Sequence, residues 1–374
     1  MEKEKEKKNK KRGFIGRLLV FLLSIMAIVG LVAMVLSVLN VYVDPQKFVW
    51  FSFFGLAFWE IFLFNAVIFI LLLLLWSNKA WIALLALLAA VPGLGKSYSF
   101  GKKGEAQGEL RVMSYNLHNF KHIDGKTSSS VFADAVVEKV KEINPDVLCC
   151  QEFSSFKEGV TRPKCIEIFA QAAGFQHVYY NLKRNYGGNV VFSKYPLSKV
   201  QEDSGFGQEN TYGIMVSVDA GDKGIFHVAN IHLLSYKITD DEIDILMESA
   251  KNQKSMDDIG KSLVRKLKYG FEQRSEEMVK VLDGMPDVDG PVIVCGDFNE
   301  PPMSYNYCRM RRAGFSDSFL KVGRGIKPTY AGRLPLLRID YIWTSADVTP
   351  THFKRLRYKI SDHYPVVLDF NLNK

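Results

Sequence analysis

Residues Val292–Asn299, which read V-I-V-C-G-D-F-N, decide the fold of this chain. Three β-branched residues and a cysteine form an apolar run too short for a helix, and Gly296 interrupts it directly before Asp297. We therefore predict a buried strand that ends in a polar tip. A carboxylate there can be held rigid and partly dehydrated, as a general base or a metal ligand requires. Since Asp and Asn are also common turn residues, the stretch alone is consistent with a simple turn.

Other stretches also place polar side chains in or at the ends of predicted strands. These are Leu110–Asn116, Asp146–Glu152, the strand that begins at Asn189, Phe226–Leu234, Arg338–Trp343 and Ile360–Phe370. The run before Glu152 is apolar on both faces, as in a strand covered on both sides. A helix with Phe132 and Val136 on one face precedes it, capped near Ser128 and stopped at Asn144.

A histidine in a strand is most often a core residue that needs no further role. Asn230 and His232 lie two residues apart, so they share one face of their strand. That pairing favours a functional role for His232.

The polar side chains of these strands are carboxylates, amides and imidazoles. They are Asn116, Glu152, Asn230, His232, Asp297, Asn299, Asp340, Asp362 and His363. Oxygen-rich ligands suit a hard cation such as Mg²⁺, and an imidazole beside a carboxylate suits proton transfer. No P-loop and no G-x-S-x-G elbow occurs in the sequence. The set therefore points to metal-assisted hydrolysis of a phosphate ester.

Six motifs in this order resemble the endonuclease/exonuclease/phosphatase superfamily, whose fold is DNase-I-like. They are S-Y-N at 114, Q-E at 151, N-I-H-L at 230, G-D-F-N at 296, R-I-D-Y at 338 and S-D-H-Y-P-V at 361. The resemblance covers residues 109–372. It implies an α/β (α+β) four-layer sandwich, in which two mixed β-sheets pack face to face with helices outside.

The resemblance also implies roles for single residues. Glu152 would bind the catalytic Mg²⁺, or Mn²⁺ in its place, with Asn116 supporting the metal or the phosphate and Asp362 as a possible second ligand. Asp297, steadied by Asn299, would align or deprotonate the attacking water.

On the same resemblance, His363 would contact the scissile phosphate and transfer a proton, oriented by Asp340. His232 and Asn230 match the family's N-T-H motif, with Ile231 in place of Thr. Arg184 and Asn189 are candidate phosphate contacts.

The first quarter of the chain is strongly apolar. Leu18–Leu39 contains 22 uncharged residues, about 33 Å of helix, which is enough to cross a bilayer. We predict a second span at Phe48–Trp76, with Trp50 and Trp76 as interfacial anchors. Ala80–Val91 is a third apolar run, ended by Pro92. Extended to Leu94 it reaches only about 22 Å, which leaves two or three spans open.

These features predict four regions. They are a basic cytoplasmic tail at 1–17, a transmembrane region at 18–92, a linker at 93–108 and a catalytic domain at 109–374 with a helical insertion at 236–283. The tail fixes the N-terminus in the cytoplasm by the positive-inside rule. Three spans, which we favour, would place the domain outside a bacterial inner membrane; two would leave it inside.

Charge and cysteine content narrow the partners. With six Lys and two Arg against three Glu, the tail carries +5 of the total of +8, and residues 101–374 carry only +2. A nuclease would favour a basic groove, so this domain charge gives little support for nucleic acid. The insertion has a basic helix face, formed by Lys261, Arg265, Lys266 and Lys268, that is either solvated or in contact with acidic lipid or a polyanion. Cys149, Cys150 and Cys295 fall in apolar strand-like runs and are most simply small core residues. The odd number of cysteines does not indicate a disulfide framework and leaves a single bridge open.

The sequence thus predicts a membrane-anchored, Mg²⁺-dependent phosphoesterase whose partners are a phosphate-ester substrate and the bilayer. Three alternatives stay open: a nuclease acting on DNA or RNA, a lipid head-group hydrolase of the sphingomyelinase or phosphoinositide type, and an inactive membrane-tethered binding module of the same fold.

Overall fold

A computed structural model describes residues 13–101, 108–182, 188–200, 213–236, 253–332 and 336–373, and for residues 253–259 it describes the backbone alone. The chain divides into two compact units. One contains Met1–Ser97 with Pro302–Tyr307, and the other contains Tyr98–Pro301 with Cys308–Lys374. Residues 1–12 of the predicted tail, and Arg184, lie outside the described residues.

The first unit is helical. Its helices are α1 (Phe14–Leu39), α2 (Pro45–Phe48), α3 (Trp50–Leu56), α4 (Phe58–Leu74), α5 (Ala80–Ala89) and α6 (Val91–Ser97). Among the described residues, one helix, which continues through Tyr42, is long and apolar enough to cross a membrane. The count rises to three if each of two bent pairs is one span: α3 with α4, bent by 65°, and α5 with α6, bent by 43°.

Two helix boundaries differ from those expected. The predicted span Phe48–Trp76 is divided at Ala57, which has a non-helical φ of −87° and ψ of 20°. The run that was expected to end at Pro92 continues as α6 to Ser97, within the predicted linker. Proline is tolerated in the first turn of a helix, where its missing N–H has no partner to lose. A bend therefore replaces the expected stop.

A buried amide holds α1 against α4. Asn65 Nδ2 donates to the Gly30 carbonyl oxygen at 3.1 Å and to Ile61 O at 2.9 Å. A Cβ on Gly30 would lie 2.5 Å from Asn65 Oδ1, so a larger residue there would have to displace this amide. Small residues with an interhelical hydrogen bond are a common means of helix association in lipid.

The described residues of the second unit form twelve strands and five α-helices. The strands are β1 (Leu110–Asn116), β2 (Val147–Phe153), β3 (His177–Asn181), β4 (Gly188–Ser193), β5 (Leu197–Lys199), β6 (Gly213–Asp219), β7 (Ile225–His232), β8 (Val292–Asp297), β9 (Ser316–Asp317), β10 (Asp340–Thr344), β11 (Val348–Arg355) and β12 (Val366–Leu372). The helices are α7 (Ser129–Ile143), α8 (Arg162–Ala173), α9 (Gln253–Gly284), α10 (Tyr305–Arg312), whose first turn belongs to the helical unit, and α11 (Ser318–Val322).

The strands form two mixed six-stranded sheets, and the predicted fold class is confirmed. The first has the order β11-β12-β1-β2-β4-β3, and the second has the order β5-β6-β7-β8-β10-β9. Each sheet contains one parallel pair, β1 with β2 and β7 with β8, while the other neighbours are antiparallel. Because parallel strands end at the same edge, each sheet delivers two neighbouring strand ends to one place.

The core lies between the sheets and under the helices. Valines and other apolar residues of both sheets form one cluster, which includes Cys149 and Cys295. A second, phenylalanine-rich cluster lies between the first sheet and helices α7 and α8. All five cysteines are buried and none forms a disulfide. For Cys149, Cys150 and Cys295 this agrees with the predicted core position.

Gly296 is required by the backbone of β8. Its φ of +137° is outside the range of side-chain-bearing residues. A Cβ there would lie 1.9 Å from the carbonyl oxygen of Ile231 on β7, which is backbone and cannot move aside. Gly296 thereby allows β8 to pack closely on β7 just before Asp297.

Candidate active site

The candidate site lies where the parallel pairs of both sheets end. Asn116 ends β1 beside Gln151 of β2, and His232 ends β7 opposite Asp297 of β8. Asp340 begins β10, which runs antiparallel to β8, and is also opposite Asp297. The topology therefore places side chains from five strands at one edge of the sandwich.

Asp297 is the centre of this arrangement and is almost wholly buried. Its Oδ1 accepts from the Asn299 backbone N–H at 2.9 Å. Its Oδ2 accepts from Asn299 Nδ2 at 3.1 Å and from Asn116 Nδ2 at 3.0 Å. Three donors thus fix both oxygens of the carboxylate.

Two imidazoles point toward the same carboxylate oxygen. His363 Nε2 lies 3.6 Å from Asp297 Oδ2, and His232 Nε2 lies 3.9 Å from it. Asp340 accepts from His363 Nδ1, with Oδ2 at 2.9 Å and Oδ1 at 3.2 Å. This contact orients the imidazole and leaves Nε2 directed at the centre of the site.

Glu152 brings a second carboxylate from the first sheet. Asn119 Nδ2 donates to Glu152 Oε2 at 2.6 Å, and Asn116 Nδ2 lies 3.4 Å from Oε1. His232 Nε2 lies 3.6 Å from the same Oε1. Glu152 and Asp297 therefore share Asn116 and His232 as neighbours.

Burial changes the protonation of these groups. It raises the pKa of Asp297 to about 7, against the lowering effect of His363 and with support from Asp340. Burial also raises the pKa of Glu152, and Asp362 adds to the shift. For His363, burial acts to lower the pKa, but Asp340, Asp297 and Asp362 outweigh it and hold the pKa well above its usual range.

Backbone strain is concentrated at the site. Glu152 and Asn299 have φ values of 52° and 51°, in the left-handed region that non-glycine residues seldom adopt. His118 and Asn119 do so as well, at 47° and 53°. Such conformations persist only where the surrounding structure enforces them, and they occur most often at functional sites.

Some candidate residues lie apart from the carboxylates. Asn230 accepts from Gln151 Nε2 at 2.6 Å and donates to the carbonyl oxygens of Cys150 and Val190, so its amide links the two sheets. Asn189 is buried in β4 opposite Asn181. These positions favour a structural role for Asn230 over a phosphate contact.

Asp362 lies at the rim of the site. Its Oδ1 lies 3.6 Å from His118 Nδ1 and 3.2 Å from Ser361 Oγ. Ser361 Oγ in turn donates to Asn116 O at 2.9 Å, which ties this turn to the end of β1.

Two features of the site were not predicted from the sequence. Asn119 contacts Glu152 because the left-handed turn at His118–Phe120 directs it there. The other is a buried ion pair between Arg274 of α9 and Glu300, at 2.7 Å. The sequence shows Arg274 within the predicted helix, but nothing near it in the sequence indicates Glu300 as its partner.

Arg274 attaches the inserted helix to the strand ends. Its Nη1 donates to Leu234 O at 3.0 Å, and its guanidinium lies 3.8 Å from the ring centroid of Tyr236. Glu277, one turn along, accepts from Leu234 N at 2.7 Å. Lys261, Arg265 and Lys268 on the same helix are exposed, as a solvated basic face would be.

We expect Arg274→Met to destabilise the protein, because Glu300 would be left as a buried, uncompensated charge. Breaking such a pair costs about 3–5 kcal/mol, which lowers the melting temperature of a domain of this size by about 10 °C. Thermal unfolding of the full chain in detergent measures the change. The control Arg265→Met should shift the melting temperature by less than about 2 °C. The double variant Arg274→Met/Glu300→Gln should recover part of the loss, and an unchanged melting temperature in Arg274→Met would contradict this role.

The donor set fits a divalent cation. Ligand atoms of Asp297, Asp340 and His363 all lie within 4.8 Å of one another. Within that group, however, the His363–Asp340 hydrogen bond already uses one ligand atom of each residue. Magnesium prefers oxygen ligands. Glu152, with Asn116 beside it, is therefore the better fit for Mg²⁺, and the Asp297–His363–Asp340 group is the better fit for proton transfer.

Comparisons with known proteins match two parts of the chain to family models. The model of the Endonuclease/Exonuclease/phosphatase family matches residues 113–363. A second family model, a domain of unknown function, matches residues 17–97. A search of curated proteins finds no match.

Solved structures with a similar arrangement have low sequence identity. An endonuclease/exonuclease/phosphatase from Beutenbergia cavernae is 19% identical, with a TM-score of 0.49 over 71% of this chain and 72% of that one. The 3′ phosphatase NExo from Neisseria, bound to a product DNA hairpin, is 17% identical, with a TM-score of 0.48 over 70% of this chain and 99% of that one. An AP endonuclease from Archaeoglobus fulgidus is 18% identical, with a TM-score of 0.47 over 70% of this chain and 100% of that one.

Proposed function

The chain belongs to the endonuclease/exonuclease/phosphatase family, and from that premise we propose that it is a membrane-tethered, divalent-metal-dependent phosphoesterase. The observation that supports this most directly is the meeting of Asp297, Asp340, His363 and Glu152 at one edge of the sandwich. An inactive binding module would have no chemical need for a buried carboxylate held between two imidazoles.

In this proposal Asp297 acts on the attacking water. A carboxylate with a pKa of about 7 can accept a proton near neutral pH and release it again. Its hydrogen bonds from Asn116 and Asn299 hold it in one orientation, which lowers the entropy cost of aligning the water.

His363 provides a positive charge opposite the Asp297 carboxylate. Held protonated by Asp340, its Nε2–H can donate to a phosphoryl oxygen or to the leaving oxygen. His232, facing the same carboxylate oxygen, adds a second donor for the negative charge that gathers on the phosphoryl group. Asn299 contributes by fixing Asp297.

Glu152, supported by Asn116, would hold the metal ion, with Asp362 at the rim as a candidate second ligand. Mg²⁺ or Mn²⁺ would supply Lewis-acid stabilisation of charge on the phosphate. The role of Asn119 is then to orient Glu152 through its 2.6 Å hydrogen bond.

We also propose that the helical unit anchors the enzyme in a bilayer. Helix α1 is long and apolar enough to span it, and each bent pair would add one crossing. Three crossings with a basic cytoplasmic tail place the catalytic domain on the outer side of an inner membrane. An anchored domain suits a substrate at or near the membrane surface, so a lipid head group is a natural candidate beside a nucleic acid.

The experiment uses the full chain in detergent with p-nitrophenyl phosphate and bis(p-nitrophenyl) phosphate. We expect EDTA to reduce hydrolysis to background, and Mg²⁺ or Mn²⁺ to restore it. In Glu152→Gln the Mg²⁺ concentration for half-maximal rate should rise at least about 10-fold, since a metal-binding group is lost. The control Glu158→Gln, an exposed position outside the site, should behave as the wild type. Full activity in EDTA would refute metal dependence, and absence of hydrolysis with every metal would refute the activity.

A further inference from the structure

Three basic side chains lie near the segment that carries His363. Arg355 ends β11, Arg357 follows two residues later, and Lys327 lies in the segment before β10. Lys327 interacts electrostatically with both arginines, and Arg355 interacts with Arg357. The Arg355 guanidinium carbon lies 4.6 Å from the ring centroid of Tyr364, the residue after His363. We call Lys327, Arg355 and Arg357 the cationic cluster.

Among the described residues the cationic cluster has no acidic partner, whereas other enclosed cations of this domain do. Arg111 pairs with Asp369, Arg274 with Glu300 and Arg338 with Asp317. In the part of the chain that the structure describes, no ion pair involves the three members of the cationic cluster. Their mutual repulsion is therefore not relieved by a carboxylate.

Arg355, which stacks on Tyr364, retains an unused donor. The Nε–H of Arg355 is buried and has no hydrogen-bond partner among the described residues. Lys327 is partly enclosed, and burial together with the two arginines lowers its pKa. Arg357 is exposed. A bound anion would accept from Arg355 and reduce the repulsion among all three side chains.

The cationic cluster is joined to the catalytic turn by backbone contacts. Tyr364 N donates to Thr329 O at 2.7 Å, and Tyr330 pairs with His363. The rings of Tyr330 and His363 lie 5.7 Å apart. Lys327 precedes Thr329 by two residues, or roughly 7 Å of extended chain. A ligand held at His363 would thus have the cationic cluster within reach of a neighbouring group.

We propose that Lys327, Arg355 and Arg357 bind a second phosphate of the substrate while the scissile phosphate lies at His363 and Asp297. The preferred substrates are then phosphate esters that carry at least two phosphate groups. This inference rests on the proposed phosphoesterase function and specifies its substrate class. Such a second phosphate occurs on nucleotides and on phosphorylated inositol head groups, and the local chemistry is the same for both.

The first test compares two substrates that differ by one phosphate. They are thymidine 5′-(p-nitrophenyl phosphate) and the same compound with a 3′-phosphate, assayed with the full chain in detergent. In Lys327→Ala/Arg357→Ala, kcat/KM for the two-phosphate compound should fall at least about 10-fold, since charge-assisted hydrogen bonds are lost. For the one-phosphate compound it should change less than about twofold. The control Lys321→Ala/Lys354→Ala removes two exposed charges and should leave both values within about twofold.

An equal fall for both compounds, or no fall for either, would overturn the proposal. Thymidine 3′,5′-bisphosphate and inositol 1,4-bisphosphate then serve as inhibitors of bis(p-nitrophenyl) phosphate hydrolysis. If either inhibits the wild type at least about 10-fold better than the cationic-cluster variant, the second-phosphate site is supported, and the better inhibitor indicates the source. Equal inhibition of both proteins would count against the site.

A binding measurement separates this inference from the enzymatic one. Titration calorimetry with inorganic pyrophosphate in EDTA needs no turnover. Binding that is weakened at least about 10-fold in Lys327→Ala/Arg357→Ala, with an unchanged melting temperature, would support the anion site even if no substrate were hydrolysed. Unchanged pyrophosphate affinity would refute the anion site while leaving the phosphoesterase activity to its own test.

Discussion

Asp297→Asn is expected to lower kcat by about 10²–10⁴-fold, the usual contribution of a positioned general base. The amide keeps the size of the carboxylate but cannot accept a proton from water. Asp297 is buried and lies 3.6 Å from His363 Nε2. Among the described carboxylates, the other one this close to the imidazole is Asp340, which is already hydrogen-bonded to it. The lost rate should therefore not be recovered by a neighbour.

The protein should remain folded in this variant. An amide nitrogen at the Oδ2 position would face the donors of Asn116 and Asn299, which costs about 1 kcal/mol of hydrogen bonding. Removing a buried charge offsets that loss. The melting temperature should accordingly stay within about 3 °C of the wild type.

Asp369→Asn is the matched control. Asp369 is also buried and also lies at a strand position, but it pairs with Arg111 through contacts of 2.5 and 3.1 Å away from the catalytic group. This variant should lose stability and keep kcat. A rate in Asp297→Asn within threefold of the wild type, measured with saturating Mg²⁺, would remove Asp297 from the proposed mechanism.

Much of this fold could be predicted because its signals are local. Two predicted strand ends coincide with a change in the sequence itself: Gly296 stands directly before Asp297, and an apolar run ends at Glu152. The caps of α7 are of the same kind, since Ser128 accepts from Val131 N and the helix ends at left-handed Asn144. Such signals depend on a few neighbouring residues, so they can be recognised without knowledge of the tertiary fold.

Contacts between distant segments could not be predicted in this way. Arg274 and Glu300 are 26 residues apart, and their pairing depends on how α9 returns to the end of β8. Asn230 shares a strand face with His232, yet the register between the sheets directs its amide to Gln151 and Cys150. The alternation of residues along this strand is compatible with Asn230 as a core amide and with Asn230 as a phosphate ligand. Only the packing of the two sheets distinguishes these roles.

The bends in the helical unit have a related cause. An uninterrupted apolar run predicts a helix long enough to cross a membrane, but it does not indicate where that helix bends. The 65° change between α3 and α4 occurs at Ala57, which is neither proline nor glycine. Its non-helical backbone is a property of the folded unit, and composition alone could not indicate it.

We expect kcat to fall in His363→Asn and also in Asp340→Asn. The two losses should not add when the substitutions are combined. His363→Asn removes the proton donor and should lower kcat by about 10²–10⁴-fold. Asp340→Asn leaves the imidazole in place but removes the carboxylate that holds it protonated and oriented. We expect a fall of about 10²-fold in kcat with little change in KM, since in the proposed mechanism Asp340 acts only by positioning His363.

The histidine control is His227→Asn. His227 is buried in the same sheet and bonds Ser217 Oγ at 2.8 Å, outside the catalytic group. Its replacement should leave kcat within about threefold of the wild type. A comparable fall in this variant would mean that loss of any buried imidazole disturbs the fold, and the effect at His363 would then carry no mechanistic meaning.

The double variant His363→Asn/Asp340→Asn distinguishes a relay from two independent contributions. If Asp340 acts only through His363, the double variant should be about as slow as His363→Asn alone, because groups that act as a unit are lost together. If the two residues served separate functions, for example if Asp340 were a metal ligand, the two losses should multiply. In that case the Mg²⁺ concentration for half-maximal rate would also rise in Asp340→Asn. Multiplicative loss with that shift would reassign Asp340 from the proton donor to the metal, and the Asp297–Asp340–His363 group would then itself be the cation site.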